Sequence, residues 1–397
     1  MQTTLQISSQ EFAERQARLL DHVRAAGVDG VVLFDSFYIH YYTRFAFIPT
    51  ERPMAFAMSA SGETLLFVPR LELEHAQGEG VVDRVATYVE YPDDPHPMMV
   101  LQQVLREMGM TGSLLADHDG YPWVWGYQGP PLSEVMGAAI RPVAAFIEAQ
   151  MAIKSPAEIA LLRESARWAN LAHRLLQKYT RPGVTETEVS MRASAEATAA
   201  LLDTLGPLYR SLSPWADGPE AGYRGQIGRQ GAIPHSLTMN TVFQPGDLLV
   251  TGATAPVWGY HAELERTMVI GRPTDEQRRF FDLMVGAQET ALSHLRAGVR
   301  CSEVDRAVRR YFAEHELEPY WRHHSGHGIG LRYHEGPFLD IGDQTELRPG
   351  MVLTVEPGIY VPELGGFRHS DTVVITEDGH ERLTYYPRDL ESLCIPM

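Results

Sequence analysis

The sequence predicts a two-domain α/β (α+β) protein on three observations. Its 397 residues exceed the usual single-domain range, helix-like and strand-like segments alternate over the first 150, and helix pairs followed by strands recur as a weak internal repeat in the remainder. The domains are expected at 1–150 and 151–397. A hydrophobic content of 44% suffices for two cores.

Residues 9–26 have helical spacing, with Phe12, Leu19, Leu20 and Val23 on one side and Gly27 at the end. Val31 to Phe34 reads as a buried strand. Residues 55–60 and 64–68 frame Ser61-Gly62-Glu63 as a hairpin. A helix over 98–108 and a strand over 113–116 complete the small α/β domain. Beyond it, 155–179 is helical, with Ile159, Leu162, Trp168 and Leu175 in phase until Arg181-Pro182-Gly183-Val184 stops it. Residues 185–202 and 275–297 predict two more long helices, the latter ending in a Gly-Val-Arg turn at 298–300.

Composition narrows the function. A net charge of −17 and pI near 5.4 argue against nucleic-acid binding. Cys301 and Cys394 cannot build a disulfide framework, so a reducing cytoplasm is expected. No apolar run is long enough to span a membrane, and Met1-Gln2-Thr3-Thr4 does not open a secretory signal.

The chemistry-bearing segments lie in the second domain. Gly246-Asp247 is followed by Gly259-Tyr260-His261-Ala262-Glu263-Leu264-Glu265-Arg266-Thr267, then by Ser325-Gly326-His327-Gly328-Ile329-Gly330, Glu356-Pro357-Gly358 and Arg368-His369-Ser370-Asp371. On a strand, His261, Glu263 and Glu265 would share one face. Carboxylates so close must share protons or receive a cation. Solvated charges on an edge strand are the bland alternative. Trp258 and Tyr260 could stack on a planar cation, although such residues are more often core. The glycine-rich 326–330 segment lacks dinucleotide spacing.

These segments, in this order, resemble the pita-bread family of creatinase, prolidase, aminopeptidase P and methionine aminopeptidase. The resemblance covers nearly the whole chain, since Ile153-Lys154-Ser155-Pro156 also matches the start of the family's catalytic half. It implies a small creatinase-like amino-terminal domain followed by a curved antiparallel sheet flanked by helices. It also implies metal ligands, two aspartates, a histidine and two glutamates in the peptidase members. Here the first aspartate position holds Gly252 and the last glutamate position holds Ser370. Glu263, His327 and Glu356 remain, too few for two metals, so no metal and no cofactor is expected.

The creatinase branch implies further roles. Its catalytic histidine matches His235 and its guanidinium-binding acids match Glu265 and Glu356, while His334 matches the family's second histidine, which contacts the substrate in the peptidases. Its Ile-Asn-Tyr-Tyr-Ser segment resembles Ile39 to Thr43, which places Arg52 on an arginine that reaches the neighbouring subunit's site and holds a carboxylate. A homodimer is therefore implied.

The string from Gly259 to Thr267 looks most like the metal-independent branch that opens the cyclic amidine ring of ectoine to an N-acetylated 2,4-diaminobutyrate. A downstream deacetylase would then be the metabolic partner. In that reading Glu263 is the first choice of nucleophile and Glu265 the second, Glu356 holds the amidinium, and His235 and His327 move protons. Arg52, His261, His334, Tyr260 and Trp258 are the expected contacts to a small zwitterionic substrate. A creatinase-like amidinohydrolase, a mononuclear-metal Xaa-Pro peptidase or lyase, and a non-catalytic zwitterion-binding protein stay open.

Overall fold

A computed structural model of the chain describes residues 5–122 and 124–397; residues 1–4, read above for a signal, lie outside the described residues. Two compact units emerge, Ile7–Gln150 and Met151–Met397, with residues 5–6 grouped with the second.

The first unit opens with α1 (Ser9–Ala26), capped by the Ser8 hydroxyl, which accepts from Glu11 N, and closed by Gly27 at φ 65. Then come β1 (Gly30–Leu33), α2 (Ser36–Thr43), β2 (Ala55–Ser59), β3 (Thr64–Pro69), α3 (Leu73–Glu79) and β4 (Arg84–Tyr88). The unit continues with α4 (Pro97–Glu107), β5 (Leu114–Ala116), α5 (Leu132–Met136) and β6 (Ile140–Pro142), and α6 (Ala144–Ala152) follows. Its described residues form a mixed sheet in the order β4-β3-β2-β1-β5-β6. The predicted 61–63 hairpin joins β2 and β3 in antiparallel register. Helix α2 has no counterpart in the sequence reading, because Tyr38 to Thr43 are all buried and leave no polar stripe to betray the helical period.

The second unit begins with α7 (Pro156–Tyr179) and α8 (Glu186–Leu205), which pack on each other. Ser155-Pro156-Ala157-Glu158 starts α7 as a capping box: Ser155 Oγ accepts from Glu158 N, and Glu158 Oε2 accepts from Ser155 N. Strands β7 (Glu220–Gly222), β8 (Leu248–Val250), β9 (Gly252–Thr254), β10 (Leu264–Glu265) and β11 (Thr267–Ile270) follow. The second helix pair is α9 (Asp275–His294) and α10 (Cys301–Glu314). The chain then returns through β12 (His327–Gly328), β13 (Glu335–Phe338), β14 (Val352–Val355), β15 (Gly358–Val361), β16 (Gly365–Arg368), β17 (Ser370–Ile375), β18 (His380–Arg382) and β19 (Cys394–Ile395).

Among the described residues, an antiparallel sheet runs β13-β12-β14-β17-β10-β9-β7, with β18 on β17. Leu175, Leu248, Leu264, Met284, Leu353 and Phe367 belong to the core behind it. One hairpin serves two sheets. Strands β8 and β11 pair in a smaller sheet, whereas β9 and β10 pair in the larger one, and both change over at Thr251 and Arg266. There Thr251 N donates to Arg266 O at 2.9 Å, and Arg266 N donates to Thr251 Oγ1 at 3.1 Å. Strand β10 holds only Leu264 and Glu265, so of the three residues expected on one strand face only Glu265 lies on it, with His261 and Glu263 ahead of its first residue. Among the described residues, no helix is long and apolar enough to cross a membrane.

Candidate functional site

Glu263, His327 and Glu356 converge, with one ligand atom from each lying within 4.8 Å of the others. The backbone at Glu263 is held against β17, its N–H donating to Thr372 Oγ1 at 2.8 Å while its carbonyl accepts from the same hydroxyl at 2.9 Å. Its carboxylate accepts from Ser370 Oγ at 2.7 Å. Ser370, standing where a ligand glutamate was expected, is thus a hydrogen-bond donor to the acid that remains.

His327 Nδ1 lies 2.9 Å from Gly328 O, an arrangement that assigns the proton to Nδ1 and frees Nε2. Nε2 lies 3.0 Å from Glu356 Oε1, without an in-line hydrogen bond. The His334 ring stacks on His327, with centroids 3.8 Å apart. Burial opposes charge on both members of the His327–Glu356 pair, and their mutual attraction outweighs it. His327 is raised to about 9, while His327 and Arg368 hold Glu356 well below the usual carboxylate range. Glu263 behaves in the opposite way. Burial, and then the charges of Glu356 and Glu265, push its carboxyl up to about 7, against the pull of His327 and Ser370.

Glu265 is spoken for. Arg368 Nε donates to its Oε2, Arg368 Nη2 donates to Oε1 at 2.8 Å, and Arg224 Nη2 donates to the same Oε1 at 2.9 Å. Arg368 Nη1 continues to the Tyr360 hydroxyl at 2.9 Å, which lies 2.8 Å from His323 Nε2. Two guanidinium groups therefore occupy both oxygens of an acid offered above as a second nucleophile. Neither the spacing nor the strand period signals this, because the arginines are distant in sequence.

The remaining expected contacts divide by position. Glu263, Glu265 and His334 line a cavity of about 680 Å³ bounded by α8, β7 and β9. His261, ahead of the first residue of β10, packs its ring against Tyr333, centroids 4.6 Å apart. Burial lowers it to about 4. Tyr260 and Trp258 do not line the cavity, and neither do His261, His327 and Glu356. Tyr260 OH donates to Glu158 Oε1 at 2.8 Å, and Trp258 lies 5.3 Å from the Arg210 guanidinium. His235 is exposed on a turn and does not line the cavity. Arg52, in the first unit, is held by Glu90 at 2.7 Å and by Glu51 at 2.6 Å.

A pair of metal ions does not fit these residues. Gly252 contributes no donor, Glu265 is neutralised by arginines, and Ser370 faces Glu263 as a donor. One ion could be held by Glu263, His327 and Glu356.

Comparison with known proteins gives the lineage. The model of metallopeptidase family M24 matches residues 160–377, and that of the creatinase/prolidase N-terminal domain matches 15–124. The probable dipeptidase PepE of Mycobacterium tuberculosis is 30% identical over 389 residues, covering 96% of each chain. The Xaa-Pro dipeptidase of Pyrococcus horikoshii is 27% identical over 379 residues, 95% of this chain and 98% of the relative. Among solved structures, dipeptidase PepE from Mycobacterium ulcerans superposes with a TM-score of 0.81 at 26% identity, covering 99% of this chain and 100% of that one. The Xaa-Pro dipeptidase from Bacillus anthracis gives 0.79 at 26% identity, covering 98% and 100%. The chain belongs to metallopeptidase family M24, as a hydrolase-family member with the two-domain creatinase-like, pita-bread fold.

Proposed function

We propose that the protein is a metal-independent hydrolase that opens the ring of a cyclic amidine carboxylate, ectoine being the expected substrate. One observation carries the reading: the Glu263 carboxylate is held by a neutral donor, Ser370, and by no guanidinium, whereas Glu265 is taken up by Arg368 and Arg224, while Gly252 leaves space where a ligand side chain would stand. A dinuclear peptidase needs the opposite arrangement, with several bare carboxylates around two cations.

The chain's own residues support a two-step path. A bound amidinium lowers the carboxyl of Glu263 by direct charge attraction and ionises it. One Glu263 oxygen then adds to the amidine carbon, and the C=N π pair moves to nitrogen. Protonated His327 delivers its Nε2 proton to the ring nitrogen that departs, so the C–N bond breaks and an imidate ester to Glu263 remains. Neutral His327 next takes a proton from water, which adds to the same carbon. Expulsion of Glu263 as carboxylate leaves the N-acetyl product. Glu356 keeps His327 charged between turnovers, and Ser370 orients the attacking carboxylate.

The test incubates chelator-treated protein of measured metal content with ectoine, creatine and a Xaa-Pro dipeptide, and follows products by mass. Ring opening of ectoine without metal is expected. A dipeptidase that works only when metal is restored, with no amidine turnover, would refute the proposal. That second reading draws on the clustered donors of Glu263, His327 and Glu356 and on the relatives named dipeptidases. A single ion there would supply Lewis-acid polarisation of a carbonyl.

A further inference from the structure

The cavity in front of Glu263 is uneven in charge. Asp217, Glu220, Glu263 and Glu265 line it, and among the described lining residues Arg224 is the sole permanent cation. His334 does not share that role, since burial and the charge of His327 lower it to about 4. A ligand that satisfies these walls carries positive charge toward the acids and negative charge toward Arg224.

The two arginines on Glu265 differ in what they have left to give. Arg368 is 3% exposed and donates through all three nitrogens. The Arg224 side chain is 53% exposed and engages through Nη2 alone, at 2.9 Å from Glu265 Oε1 with a longer contact of 3.5 Å to Gln226 Oε1. Its Nε and Nη1 make no hydrogen bond among the described residues. Its backbone sits at φ 50, the left-handed region, which a non-glycine residue adopts at an expense of about 1–2 kcal/mol and which clusters at ligand-holding positions. Arg224 and Glu263 line the same cavity, and Arg224 engages Glu265, two residues on from Glu263. A small ring with its electrophilic carbon at Glu263 can thus turn its carboxylate toward the exposed guanidinium.

We propose that Arg224 anchors the carboxylate of the zwitterionic substrate, its unengaged N–H groups donating to the anion while Nη2 stays on Glu265. The assignment rests on the cyclic-amidine reading for the identity of the cationic end. It places the anion-holding residue within the same unit as the reacting acid. It also makes Glu265 a positioning residue, which fixes Arg224 from one side as Arg368 fixes Glu265 from the other.

The test compares wild type with Arg224→Gln and Arg224→Lys on ectoine and on the same methylated tetrahydropyrimidine ring lacking its carboxylate. Thermal unfolding confirms that each variant is folded. Arg224→Gln is expected to raise KM for ectoine about 10- to 100-fold, the worth of a charge-assisted hydrogen bond, with kcat little changed. Any loss of efficiency on the ring without a carboxylate should be much smaller than on ectoine, and Arg224→Lys should recover part of the loss. Equal losses on both rings would overturn the proposal, since Arg224 would then serve Glu265 alone; Arg224→Lys gives the same discrimination if the glutamine variant fails to fold. If wild type opens neither ring, calorimetric binding of the two decides independently of turnover. Carboxylate-dependent affinity that Arg224→Gln removes would uphold the anchor while the hydrolase reading falls. Equal affinity of wild type for both rings would overturn the anchor.

Discussion

Glu263 and Glu265 are the same residue type two positions apart, and their neighbours divide the work between them. Guanidinium groups surround Glu265, whereas a hydroxyl, a histidine and another acid surround Glu263. Replacing Glu263 by Gln should lower kcat by about 10³-fold or more while leaving the protein folded, because the nucleophile is lost and the hydrogen bond from Ser370 is kept. Steady-state kinetics with thermal unfolding checks this; retained turnover would exclude Glu263 as the attacking group. The pH dependence follows from the same two groups. Glu263 must be ionised, so kcat/KM should climb as pH rises through about 7, and His327 must be protonated, so it should fall above about 9. A flat profile between pH 6 and 8 would contradict the assignment. Motif spacing made Glu263, His327 and Glu356 legible in the sequence. The capture of Glu265 was not, because its partners lie 103 and 41 residues away along the chain and no local pattern couples them.

At the scale of elements, the loop that carries His334 into the cavity is tied to the start of the second unit. Lys154 Nζ donates to Glu335 Oε2 at 2.8 Å with both side chains 2% exposed, and Glu335 Oε1 accepts from Arg332 N at 3.0 Å. The pair fixes β13 at its first residue, next to His334. Lys154→Met should therefore destabilise the protein by about 3–5 kcal/mol, since it strands a buried carboxylate, and adding Glu335→Leu should restore much of the loss. Urea titrations of the single and double variants test it; additive losses would show that the two residues are uncoupled. The long helices were readable because caps and apolar periods are local. The switch of one hairpin between two sheets at Thr251 and Arg266 was not, because it depends on which sheet each half of the hairpin meets.

Across the whole molecule, buried neutral histidines set the response to acid. Burial, and then Arg266, lowers His173 to about 3; burial lowers His261 to about 4; burial and Arg266 hold His369 well below its ordinary 6.5. The unfolded chain takes up these protons near 6.5 and the folded chain does not, so stability drops as pH falls below 6.5 toward the folded values. Each histidine should withdraw about 2 kcal/mol between pH 6.5 and 5. His327 has the opposite sign: its contribution is complete below 6.5 and disappears as pH rises through about 9. Urea midpoints should consequently be highest between these limits and fall sharply by pH 5, a loss large beside a typical folding free energy of about 5–15 kcal/mol. Midpoints unchanged from pH 7.5 to 5 would mean that these rings are not held neutral. The two-domain plan was evident from length and alternation, while this acid sensitivity depends on burial that composition does not reveal.

Arg266 braces from behind the strand that carries Glu265. Its guanidinium is fully buried behind Glu265, donating to Asp371 Oδ1 at 2.8 Å and to the carbonyls of Glu265, Ser370, Tyr386 and Pro387. A brace on the reverse side leaves the obverse free to vary. A Cβ added at Gly252 would meet only Glu265 Oε1, at 3.6 Å. Gly252→Ala should then shift stability by less than about 1 kcal/mol in urea unfolding. On such a chassis a change of side chain at the front of the sheet need not disturb the barricade behind it.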